Sequence, residues 1–158
     1  IRTPYCNIFV WDVTRAMGAE IPHWVEKRDW SKKAIPGPDG QELDANLTAV
    51  WLAQYGASNG WIPVDKTDKA KELASARRPV DAGRLAQEWA NEGKPVVAVF
   101  YNPGGIGHVA MVIPSDEPYD PERGPAIAQA GETNMNRGYL KDGFGRQRMG
   151  AVIYYVHE

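Results

Sequence analysis

The sequence predicts an α+β fold, with helices gathered in the amino-terminal half and a small antiparallel β-sheet in the carboxy-terminal half. Three observations predict it. Apolar residues at helical spacing, with capping residues around them, are found before residue 93. After that point come apolar, β-branched runs bounded by Gly and Pro. These runs follow one another as a meander, without the alternating helices of βαβ units. A chain of 158 residues is long enough for one domain with a full core, so 1–158 reads as a single domain.

The first element is a helix over residues 7–17, "NIFVWDVTRAM". Cys6, Val10, Val13 and Met17 share one face, widened by Phe9 and Ala16, and Gly18 is placed to end it. Cys6 therefore falls at the first turn, on the core-facing side. Residues 22–62 form a loop-rich insertion rich in Pro and Gly, and 22–43 reads as loop. Within it Asp44 caps a second helix running to about Tyr55, with Leu47, Val50, Trp51 and Tyr55 inward. "GASNGWIPVD" reads as a turn and an extended segment. Asp81 caps a third helix, "AGRLAQEWAN", anchored by Leu85 and Trp89 and ended by Gly93.

Four strands are expected: "KPVVAVF", "HVAMVIP", "PAIAQAG" and "AVIYYVHE". "YNPGGIG" joins the first two, and the polar "SDEPYDPERG" lies between the second and third.

Composition narrows the function. The formal net charge of −2 gives no basic balance, so nucleic acid is not an expected partner. No apolar run approaches the roughly 20 residues of a membrane span. The single cysteine, Cys6, excludes an intramolecular disulfide and a thiolate-rich zinc site. His108 and Glu132 lack the close ligand partners of a metalloenzyme motif such as H-E-x-x-H, so neither metal nor cofactor is expected.

A lone thiol is commonly a small buried hydrophobe. At a helix start, beside an imidazole, it is instead a candidate nucleophile, because free N–H groups and His both favour thiolate chemistry. Of the histidines, His108 is placed best, opening a strand directly after glycines; His23 and His157 lie in a loop and at the chain end. A Cys–His pair needs a polar group to orient the ring. Gln129, the polar residue inside "PAIAQAG", is the first candidate, with Glu132 and Asn134 in "GETNMN" as alternates. Tyr5, Trp24, Trp61 and Gly107 are candidate substrate contacts; Trp30 and Trp51 belong to the same aromatic-rich half, and Trp51 lies on an apolar face.

"YCNIFVWDV", "GKPVVAVFYNPGGIGHVAMVIP" and "AIAQAGETN", in that order, resemble the papain-like peptidoglycan hydrolases, the group of CHAP amidases and NlpC/P60 endopeptidases. The resemblance implies a papain-like fold with helices packed on a small antiparallel sheet. It implies Cys6 as nucleophile, His108 as general base and Gln129 at the third position, with Glu132 and Asn134 matching the E-x-N spacing of CHAP members. It also implies peptidoglycan as substrate, cleavage of an amide in the peptide stem through an acyl-enzyme, and action outside the cytoplasm, secreted or at the periplasm and cell wall. No inhibitor or immunity protein is identified by it. The competing reading is a non-catalytic module that binds cell wall or a protein partner, with Cys6 buried and inert.

Overall fold

The structure, a computed structural model, describes residues 5–130 and 134–158, with side chains from Cys6 onward. It is mixed α+β. The first helix, α1 (Tyr5–Ala16), is followed by three short strands, β1 (Trp24–Glu26), β2 (Asp29–Lys33) and β3 (Gly40–Glu42). Then come α2 (Ala45–Tyr55), β4 (Trp61–Pro63), α3 (Asp68–Ser75) and α4 (Ala82–Asn91). The remainder is β5 (Val96–Phe100), β6 (His108–Val112), β7 (Ala126–Gln129), β8 (Met135–Tyr139), α5 (Leu140–Phe144) and β9 (Ile153–His157).

Six strands form one antiparallel sheet in the order β4-β9-β5-β6-β7-β8, and β2-β1-β3 form a second, smaller one. The meander expected from the sequence holds through β5, β6 and β7 and continues into β8. The last strand departs from it, inserting between β4 and β5 on the other side of the sheet. Alternation along a strand encodes which side chains face which layer, not which strand is its neighbour.

The large sheet is covered on both faces, which is why β5 and β6 read as continuous apolar runs. Val97, Val99, Val109, Met111 and Tyr155 face α1, α2 and the small sheet, joining Val10, Val25, Leu43, Leu52 and Trp61 in one core. Val96, Ala98, Ala110, Val112, Ile127 and Tyr154 face the other way, toward Leu85, Trp89, Leu140 and Phe144. Successive residues thus alternate between two cores, as strand geometry requires.

The helix signals in the sequence correspond to real caps. The Asp44 carboxylate accepts from the Leu47 N–H at 2.8 Å, and the Asp81 carboxylate from the Arg84 N–H at 3.2 Å. Gly18 ends α1 in the left-handed region at φ 76°. Two inward faces need correction. Met17 is 46% exposed, because α1 has ended before it and its buried residues are Asn7, Val10 and Thr14. In α2 the fully buried residues are Ala45, Thr48, Ala49, Trp51 and Leu52; of the expected face, Trp51 is among them, Leu47 and Tyr55 pack half-buried against the same core, and Val50 does not join it.

Residues 22–43 are not simply loop, since they carry β1, β2 and β3. No helix among the described residues is long and apolar enough to cross a membrane.

Candidate functional site

Cys6 lies in the first turn of α1, half-buried against the core shared by α1, α2 and the large sheet. Its sulfur reaches the start of β6, where the backbone N–H of Val109 favours its thiolate, as do the N–H groups of Asn7 and of Cys6 itself. Val109 directly follows His108, and β6 pairs with β7 only through Met111 and Val112, so the first residues of β6 lie beyond that ladder.

Burial nevertheless dominates at this thiol. It pushes the Cys6 thiol above its ordinary range against those three N–H groups, and the Asp44 carboxylate adds to the rise. The resting cysteine is therefore a protonated thiol at neutral pH. A helix start and an imidazole alone would suggest an ionised one; the difference lies in the burial of Cys6 on the core-facing side of α1.

His108 opens β6 and points to the opposite face, where its ring meets Phe144 edge-on with centroids 4.6 Å apart. Extending the Met111–Ala128 register puts Gln129 opposite Ala110, diagonal to His108 on the same face. The two side chains meet: Nε2 of His108 is 2.6 Å from Oε1 of Gln129, and Gln129 is 5% exposed. An amide oxygen only accepts, so Nε2 carries the hydrogen and the lone pair of the neutral ring is on Nδ1. Burial lowers the His108 pKa and the nearby Arg148 charge lowers it further, while the Gln129 bond opposes them. The ring is consequently a neutral base at neutral pH. Adjacent residues of β6 thus serve the two groups: the Val109 N–H favours the Cys6 thiolate, and the His108 ring is held by Gln129 of β7 and Phe144 of α5.

Gly143 in α5 allows this arrangement. A Cβ there would stand 2.4 Å from Oε1 of Gln129 and 2.6 Å from Cδ1 of Ile127. Its position inside a five-residue helix, on the side facing β7, was not a signal that sequence reading singled out.

The remaining sequence candidates fare differently. Asn134 is exposed just before β8, and Glu132 lies outside the described residues. Trp61 is 1% exposed and packs edge-on against His157, with centroids 5.4 Å apart, on the edge strand β4. It is a core residue with no surface to offer a substrate. Trp51 is likewise buried. Gly107 is also buried, and its missing side chain serves a neighbour rather than a ligand: a Cβ would stand 2.3 Å from Oδ1 of Asn46 and 2.7 Å from the Phe100 carbonyl. Trp24 and Trp30 are half-buried on the small sheet, and Trp24 packs edge-on to His23 at 6.0 Å between centroids. The Tyr5 side chain lies outside the described residues. His23 is 2.8 Å from Glu42, an ion-pair distance, and 5.6 Å from the Trp11 ring.

Among the described residues no three His, Cys, Asp or Glu side chains are grouped as a metal site. A scan of protein-family models and a search of curated proteins find no match for this chain.

Proposed function

We propose that this protein is a papain-like cysteine hydrolase of the CHAP and NlpC/P60 type, cleaving an amide bond in the peptide stem of peptidoglycan outside the cytoplasm. The observation that carries the reading is the 2.6 Å contact between His108 and Gln129 beside Val109, the strand residue whose N–H favours the Cys6 thiolate. Gln129 holds the imidazole with Nδ1 as its basic nitrogen. His108 takes the thiol proton as Cys6 attacks the carbonyl carbon, and the tetrahedral oxyanion is met by backbone N–H groups at the α1 start. His108 then protonates the leaving amine, and water, activated by the same ring, releases the acyl group from sulfur. Both partners are neutral at rest, so general-base transfer fits this site better than a preformed thiolate–imidazolium pair.

Digestion of purified sacculi tests the reading. Cys6→Ala should abolish release of soluble fragments, and His108→Ala should lower it by about 10²–10⁴-fold. Undiminished release by the Cys6→Ala protein would remove the assignment.

The raised thiol pKa favours a second reading, a non-catalytic module that binds cell-wall glycan or a protein partner. The two differ in their products. A binding module retains sacculi without generating new amines, whereas the hydrolase generates them in a Cys6-dependent way.

A further inference from the structure

Two hydrogen-bonded bridges converge on residues 43–46, one from each half of the candidate site. On the thiol side, the residue after Cys6 is Asn7, 3% exposed, whose Nδ2 donates to the Leu43 carbonyl. On the imidazole side, Asn46 spans to the segment leading into His108. Its Oδ1 accepts from the Asn102 N–H at 2.8 Å, and its Nδ2 donates to the carbonyls of Asn102 and Gly105, both at 3.0 Å.

Helix formation does not account for Asn46. Asp44 already caps α2, and Asn within a helix competes with it rather than supporting it. The segment it grips needs restraint, because "YNPGGIG" contains Gly104 at φ 81° and two further glycines. The Asn102 side chain closes the same segment from within, donating to the Ile106 carbonyl at 3.1 Å. Gly107 then leaves the space that Asn46 Oδ1 occupies.

We propose that Asn46 is a positioning residue that fixes the approach of the His108 strand to the Cys6 helix. The path runs from Cys6 through Asn7 to Leu43, along the chain to Asn46, and across to Asn102, Gly105 and His108. The proposal rests on the reading of Cys6 and His108 as a reacting pair, and its test separates the two.

The imidazole ¹⁵N signals of His108 report the positioning without any substrate. Asn46→Ala shifts those signals. Asn46→Asp, which retains the acceptor for the Asn102 N–H but loses both donors, shifts them less and serves if the alanine protein does not fold. Asp44→Ala weakens the same helix by removing its cap and leaves the His108 signals in place. Unshifted signals in both Asn46 variants, or an equal shift in Asp44→Ala, would overturn the proposal. The reacting-pair reading is tested separately by iodoacetamide alkylation of Cys6. His108→Ala changes the rate several-fold in the wild-type background and much less in Asn46→Ala. A wild-type rate indifferent to His108 would defeat the pair while leaving the NMR result to decide the role of Asn46; full His108 dependence in Asn46→Ala would overturn that role.

Discussion

His108 and Gln129 meet across neighbouring strands, Nε2 to Oε1 at 2.6 Å, with Gln129 buried beneath α5. The contact sets the tautomer of the ring, and that tautomer decides which nitrogen can accept a proton.

Replacing Gln129 by Ala leaves the Nε2 hydrogen without this acceptor. The loss of such a buried bond is about 1–3 kcal/mol. If it is felt in the transition state, kcat falls by about 5- to 150-fold with KM little changed. Gln129→Asn and Gln129→His retain an acceptor and part of the activity. Steady-state kinetics on a defined muropeptide measures the split, and a Gln129→Ala enzyme with wild-type kcat would exclude the orienting role.

Gly143→Ala tests the same contact from the other side. Helix propensity favours Ala by up to about 1 kcal/mol, but the new Cβ stands 2.4 Å from Oε1 of Gln129 and must displace it. Crowding of this kind typically costs about 1–3 kcal/mol. The same Cβ crowds Cδ1 of the buried Ile127, so Tm should fall too, and activity is compared at a temperature where the variant is folded. Gly150→Ala is the control, since its Cβ would meet nothing within 4 Å. Equal activity in the two variants would show that the placement of Gln129 is unimportant.

The lowered pKa of His108 has two pH consequences. The acid limb of kcat/KM should lie below the ordinary imidazole range, and Arg148→Gln, which removes one lowering influence, should move it to higher pH. Stability follows the same shift. The unfolded chain takes up this proton near pH 6.5 while the folded chain resists, so the contribution of His108 is present above about pH 6.5 and is lost as pH falls through the lower folded value. The fall in Tm between pH 7.5 and pH 5 should therefore be smaller in His108→Gln than in the wild type. An acid limb unmoved by Arg148→Gln would contradict the charge effect.

Much of the fold was legible because its signals are local. Asp44 and Asp81 cap the helices they were expected to cap, and His108 opens β6 as the glycines before it suggested. Gln129, singled out as the polar residue inside an apolar run, is buried, and an amide there is costly to bury without a partner. What escaped depends on distant partners. β1, β2 and β3 are three to five residues long and half-exposed, so they carry no clear alternation and read as loop. Asn46 looks like an ordinary polar residue in a first turn, because its partner Asn102 is 56 residues away. Trp61 resembled a binding aromatic beside a glycine turn, yet it fills the core under β9. The core-facing side of Cys6 was legible from its spacing to Val10 and Val13; what escaped is that burial outweighs the helix-start N–H groups at the thiol.

Mass spectrometry of muropeptides after digestion of purified sacculi decides whether Cys6 cleaves an amide in peptidoglycan. Fragments carrying a new amine, either at the stem L-alanine or further along the peptide, are expected from the wild type and are absent with Cys6→Ala. The same fragments at the same rate from Cys6→Ala, or intact stems after wild-type treatment, would contradict cleavage by Cys6.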